Sequence, residues 1–149
     1  MYSDKLNQRM LKALRQRGIR LTPQRLEIVR ILTHDRTHPG ARAILSRAQA
    51  KVPYMSISTV YYTLGLLKKE GLIKELGFYS MGNRYESEMT DHIDLICTKC
   101  RKIINFEKEL PVTRQLIEKA TGFEAHEMRC EYYGVCVNCR GKKINFFDL

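Results

Sequence analysis

Four cysteines fall into two Cys-x-x-Cys pairs, Cys97-Thr98-Lys99-Cys100 and Cys136-Val137-Asn138-Cys139. A structural zinc ion takes four tetrahedral ligands, and two intervening residues let one tight turn aim two thiolates at a single point; two such turns complete the shell. The plain alternative is four thiols filling space, because free cysteine behaves as a small apolar residue, but two pairs at this spacing favour the metal. Cys130, the fifth cysteine, lies in an apparent strand and reads as filler, since a reactive thiol requires an electropositive, accessible setting. An all-cysteine shell leaves no open coordination position and no general base accompanies it, so an enzyme is not expected. An odd cysteine count with metal-type spacing also suits a reducing, cytoplasmic compartment better than a disulfide framework.

A second group of ligand types is less conspicuous: His38, Glu86, His92 and Asp94. On a strand, residues two apart point to one face, so His92 and Asp94 can reach the same ion. Two imidazoles and two carboxylates suit iron(II), manganese(II) or zinc, the carboxylates favouring the harder ions. Taken singly, each residue is more often a surface side chain than a ligand. Together they join the first half of the chain to its boundary with the second, where an ion would act as a clamp.

The elements that must position these groups follow from periodicity. Leu6, Met10, Leu11 and Leu14 predict a basic amphipathic helix over 3–17, closed by Gly18. Thr22 followed by Pro23 reads as an N-cap with proline at the first helical position, opening a second helix that runs to His34. Ala43, Ile44, Ala48 and Val52 define a third, stopped by Pro53. Ser56 and Ser58 both offer N-caps for a fourth helix through Glu70, with Gly71 as its stop. Helix, turn and helix form the helix-turn-helix pattern, and strands at 72–76 and 83–86 around a tip at Gly77 to Gly82 add a wing. Beyond Asp91, strands are expected at 93–97 and 102–106, a helix near 112–121 and a long strand from Phe123 to Val135. The fold class is therefore α+β: a winged helix-turn-helix domain over 1–87, and over 88–149 a small α/β domain stapled by the cysteine site.

Charge identifies the partner class. Of the formal +10, residues 1–88 carry sixteen Lys or Arg against seven Asp or Glu, and residues 89–149 carry ten against nine. The first half therefore suits a polyanion. No apolar run is long enough to span a bilayer and no signal-peptide core follows Met1. In a helix-turn-helix the second helix enters the major groove of duplex DNA. Its exposed face here offers Ser58, Thr59, Tyr61, Tyr62, Lys68 and Lys69, with Arg84 on the wing and Arg15, Arg17 and Arg20 near the first helix as phosphate contacts. The alternative for Tyr61 and Tyr62 is packing between helix and wing. At the level of the whole chain, the alternative is a zinc-stabilised RNA-binding or protein-interaction module without metal-dependent switching.

These residues resemble the ferric uptake regulator superfamily. Leu21-Thr22-Pro23-Gln24-Arg25 is similar to its second-helix entry and Ser58-Thr59-Val60-Tyr61 to its recognition helix. Asp91-His92 with Cys97 to Cys100 resembles its hinge and first zinc turn, and Tyr133-Gly134-Val135-Cys136 its closing zinc turn. The resemblance covers nearly the whole chain. It implies a transcriptional repressor that binds palindromic operators as a homodimer once a regulatory metal is loaded, with no small-molecule substrate. It places structural Zn2+ on Cys97, Cys100, Cys136 and Cys139, and regulatory Fe2+ or Mn2+, with Zn2+ as a further option, on His38, Glu86, His92 and Asp94. The signal is left open between iron sufficiency and peroxide stress; in peroxide-sensing relatives the positions of His38 and His92 are oxidised by bound iron.

The chain departs from the family pattern at three places. Asn105 stands where an acidic ligand is usual, and Asp94 where histidine is, so a carboxylate has moved from one ligand to another and Asn105 is a weak candidate. An extra metal site of some relatives is poorly matched by Ile93 and Met128, and with His126 two residues off it is expected to be absent, His126 being an exposed strand residue. Tyr62 stands where relatives often carry Arg or Asn, so the operator sequence is expected to differ.

Overall fold

A computed structural model of the protein describes residues 1–78 and 82–141. The chain divides into two compact units, one ending at Met89 and the other beginning at Thr90.

The first unit is a winged helix-turn-helix. Helices α1 (Tyr2–Gln16), α2 (Pro23–His34), α3 (Ala41–Ala48) and α4 (Ile57–Lys69) precede strands β1 (Lys74–Phe78) and β2 (Gly82–Glu86). The capping chemistry forms as the sequence predicts. Thr22 Oγ1 accepts from Arg25 N at 3.3 Å, and Ser56 Oγ accepts from Thr59 N at 3.2 Å, each satisfying a first-turn amide that has no partner inside the helix. The apolar stripes of the four helices then close on one core, where Leu14, Ile28, Leu32, Ile44, Leu64 and Leu67 are almost wholly buried, each worth about 1.5–3 kcal/mol of transfer free energy. Glu27 is buried beside them, and Arg30 holds its carboxyl below the usual carboxylate range through paired N–H donors. Gly71, at φ +65°, turns the chain out of α4 in the left-handed conformation that glycine adopts without cost.

The first wing strand runs two residues later than expected, because Ile73 is drawn into the core and pairing begins only at Lys74 with Glu86; the second, expected over 83–86, starts at Gly82. Of the tip expected over Gly77 to Gly82, Gly77, Phe78 and Gly82 belong to the paired strands and residues 79–81 lie outside those described.

The second unit holds β3 (Ile93–Cys97), β4 (Ile103–Phe106), α5 (Arg114–Thr121), β5 (Cys130–Gly134) and a short α6 (Val137–Arg140) that the sequence reading missed. The strand order is β4-β3-β5, with β3 antiparallel to β4 and parallel to β5. The long strand expected from Phe123 to Val135 is corrected to Cys130–Gly134. Among the described residues its strand neighbour is β3, which offers five residues, so the ladder begins at Cys130 opposite Ile93. His126 is exposed, as expected, but lies outside any strand. Among the described residues, no helix is long and apolar enough to cross a membrane.

Candidate metal centres and nucleic-acid interface

The four cysteines of the two pairs converge. Their sulfur atoms all lie within 4.8 Å of one another, and Cys100 Sγ is 3.6 Å from Cys136 Sγ. A tetrahedron with Zn–S bonds of about 2.3 Å has edges of about 3.8 Å, so the cluster has the dimensions of a zinc shell. The backbone builds it. Cys97 ends β3, the following turn closes through Arg101 N to Cys97 O at 2.9 Å, and Arg101 takes φ +61°. Gly134 O, at the end of the neighbouring strand β5, accepts from Thr98 N at 2.8 Å and so brings the second pair alongside the first.

Electrostatics favour a cation at the centre of these sulfurs. Cys97 Sγ accepts backbone amides from Cys136 at 3.3 Å and Cys100 at 3.5 Å, and these donors lower its thiol to about 6, the Cys136 amide most. The Cys139 thiol is pushed up to about 12, first by hydrogen bonding to Cys136 and Cys100. Four adjacent sulfurs cannot all ionise without a counter-charge, and a divalent zinc ion supplies one.

The other ligand types sit two in each unit. In the first, His38 Nε2 lies 2.5 Å from Glu86 Oε2, with both side chains buried. His38 has φ +53°, a left-handed backbone that costs a non-glycine residue about 1–2 kcal/mol. The turn that imposes it is clasped on both sides. Asp35 Oδ1 accepts from Thr37 N at 2.8 Å and from the Thr37 hydroxyl at 2.5 Å, Arg47 pairs with Asp35, and Pro39 O accepts from Tyr85 N of the wing at 3.1 Å. The sequence reading missed this clasp; Asp-x-Thr at the end of a helix was its only signal.

In the second unit, His92 Nε2 is 3.4 Å from Asp94 Oδ1, while His92 Nδ1 is 2.9 Å from Thr90 O, a contact that orients the ring. Asp94 lies opposite Asn105 on β4 and Glu131 on β5. Directly opposed residues share a face, so this row carries two carboxylates and one amide. An acidic residue at 105 would have made three. Asn105 Oδ1 is buried without a hydrogen-bond partner among the described residues, which leaves it an available neutral oxygen donor beside Asp94.

On α4, Ser58, Tyr61, Tyr62, Gly65, Lys68 and Lys69 are exposed and Thr59 is half-buried. Tyr61 is 54% and Tyr62 67% exposed, so neither is packed away between helix and wing. A Cβ on Gly65 would meet nothing within 4 Å, which leaves a smooth strip at mid-helix. The Arg25 guanidinium lies 5.8 Å from the centre of the Tyr62 ring, within cation–π range, a contact between residues 37 positions apart that no local pattern signals. Arg15 and Arg20 are exposed. Arg17 instead holds the end of α4, donating to Glu70 O at 2.6 Å and pairing with its carboxylate at 3.2 Å. Arg84 is half-buried and donates to His38 O at 3.4 Å, bracing the metal-ligand turn from the wing.

Comparison with known proteins agrees with this geometry. Residues 16–133 match the ferric uptake regulator family. The peroxide operon regulator of Bacillus subtilis is 37% identical over 134 residues, spanning 89% of this chain and 92% of that protein. The peroxide-responsive repressor PerR of Staphylococcus epidermidis is 36% identical over 131 residues, 87% of each. Among solved structures, the Helicobacter pylori ferric uptake regulator, described as having three functional metal-binding sites, superposes with a TM-score of 0.72 at 28% identity, covering 94% of this chain and 95% of that one. A zinc-bound manganese uptake regulator superposes with a TM-score of 0.69 at 33% identity, over 85% and 98%.

Proposed function

This chain belongs to the ferric uptake regulator family of metal-dependent transcriptional regulators, and we propose that it is a repressor that binds palindromic operator DNA as a homodimer and releases it under peroxide stress. Residues 1–87 read the DNA, through Ser58, Thr59, Tyr61 and Tyr62 on α4 with phosphate contacts from Arg15, Arg20 and Lys69. Residues 88–149 form the dimerisation domain, stapled by structural zinc on Cys97, Cys100, Cys136 and Cys139.

The regulatory ion is held by His38, Glu86, His92 and Asp94, with Asn105 as a neutral accessory donor. Iron(II) or manganese(II) suits these oxygen and imidazole donors. When bound, such an ion supplies differential binding energy between two conformational states; moving an equilibrium from 1:99 to 99:1 requires about 5.5 kcal/mol.

The observation that carries this reading is the strained, buried His38 turn at 2.5 Å from Glu86. Backbone strain persists only where the surroundings over-determine it, and it gathers at working sites. The same wing strand that ends in Glu86 forms the hairpin beside α4, so two of the donors and the reading helix share one unit. The names of the two peroxide regulators above favour peroxide as the signal.

The test is His92→Ala. That variant should retain zinc at the cysteine site by elemental analysis, yet lose the stimulation of palindromic-duplex binding by iron(II) or manganese(II). A variant that still binds only when metal is added would overturn the assignment. Metal-independent binding of single-stranded RNA in preference to duplex DNA would support the interaction-module alternative instead.

A further inference from the structure

Lys68 occupies the last turn of α4 on the same exposed stripe as Tyr61 and Gly65, and its side chain is 57% exposed. By position it should meet a DNA phosphate. Its ammonium is nevertheless already engaged, paired with Oε2 of Glu75 on the wing strand β1. The other carboxylate oxygen, Oε1, accepts from Asn83 Nδ2 at 2.7 Å and from the Tyr85 hydroxyl at 3.1 Å, both on the partner wing strand β2. One carboxylate, 20% exposed, therefore joins the reading helix to both strands of the wing. Tyr85 is itself packed in the core at 5% exposure, so the anchor at the far end of this chain of bonds is rigid.

We propose that Glu75 is a specificity-setting residue of the DNA-binding unit: by pairing with Lys68 it withholds that charge from the phosphate backbone, lowering sequence-independent affinity while keeping helix and wing in fixed register. The inference rests on the DNA-binding reading above. Its physical basis is counterion release. Each phosphate neutralised by a protein cation steepens the fall of log affinity with log salt by about 0.9, and a lysine already neutralised by a carboxylate makes no such contribution. Sequence-independent binding comes almost wholly from this term, whereas base-edge contacts carry the discrimination. Silencing one backbone contact therefore raises the ratio of specific to non-specific binding. The three acceptor contacts explain why a carboxylate on the wing serves better than the mere absence of Lys68: the same group also sets where the hairpin lies against α4.

The experiment measures binding of a fluorescein-labelled duplex of unrelated sequence by fluorescence anisotropy, between about 0.05 and 0.2 M salt. It compares the wild type, carrying zinc and saturated with manganese(II), with Glu75→Gln, Lys68→Met and the double variant in the same metal-loaded state. Glutamine keeps an oxygen for Asn83 and Tyr85 but cannot pair with an ammonium, so the wing stays anchored while Lys68 is released. The proposal expects Glu75→Gln to steepen the salt slope by about 0.9, so that each tenfold drop in salt tightens it by about eightfold more than wild type. Lys68→Met alone should leave the wild-type slope unchanged, and the double variant should return to it. If Lys68→Met alone lowers the slope by about 0.9, the lysine already contacts phosphate and the proposal fails. It fails equally if the gain of Glu75→Gln persists in the double variant, because Glu75 would then act by repelling phosphate without Lys68. Should Glu75→Gln not fold, the slope of Lys68→Met still decides. A wild type that binds no duplex at all overturns the DNA-binding reading, and this inference with it; a wild type that binds while Glu75→Gln keeps the wild-type slope overturns this inference alone.

Discussion

Removing zinc should unfold the second unit and leave the first standing. The asymmetry comes from where the apolar core lies. Every member of the main buried cluster falls between Met10 and Tyr85, all in the first unit. Among the described residues of the second, the buried apolar side chains are Ile93, Ile96, Ile103 and Cys97. At about 1.5–3 kcal/mol each, the three isoleucines contribute about 5–9 kcal/mol of gross transfer free energy. The apparent binding free energy of a structural zinc is about 10–16 kcal/mol. The metal term is thus the larger, and it acts where Thr98 N donates to Gly134 O and Cys136 N to Cys97 Sγ, tying the ends of β3 and β5 together. Zinc would be displaced with a thiol-reactive mercurial and its release titrated with a coloured chelator. Amide hydrogen exchange would then be followed by mass spectrometry. Protection in Ile93–Cys97 and Ile103–Phe106 should fall to that of unstructured chain, while Ile57–Lys69 retains its own. Because a mercurial also modifies the thiols, Cys139→Ser purified free of zinc provides a second route to the same state. Zinc-free protein that still protects β3 and β4 would refute the reasoning, since it would show that three isoleucines and the sheet hydrogen bonds suffice.

Two further outcomes follow from the row Asn105, Asp94 and Glu131. Asn105→Asp should raise manganese(II) or iron(II) affinity by about tenfold or more, the scale of effects from groups around a metal site, and should lower the thermal midpoint of the metal-free protein, because like charges directly opposed across strands repel. Isothermal titration and thermal melts with and without metal check both signs, and an apo protein stabilised by the substitution would contradict the charge argument. The peroxide signal is tested by exposing iron-loaded protein to hydrogen peroxide and weighing its peptides: added oxygen on His38 or His92 is expected, and its absence from both leaves iron sufficiency as the signal.

Much of this was legible in the residues themselves. Cys-x-x-Cys turns are local objects, and two of them define a shell wherever the chain brings them together. The caps at Thr22 and Ser56 and the apolar periods of α2 and α4 also need only neighbours within a turn or two. Strand limits were less legible, because a strand is bounded by its partner: β5 stops where β3 does, not where its own pattern of residues does.

What the sequence by itself determined is the inventory: which donors exist, which helix presents an exposed face, and which half carries the positive charge. Only the tertiary structure decided how those charges are spent. Arg17 is committed to the end of α4, Arg84 to the His38 turn and Lys68 to Glu75, although along the chain the two arginines read as phosphate contacts and Lys68 as a charge on the face of the reading helix. The reason is that composition and period count charges, whereas a cation's availability depends on which carboxylates and carbonyls the fold brings within about 3–4 Å of it, and partners such as Lys68 and Glu75 meet only when the wing folds back on the helix.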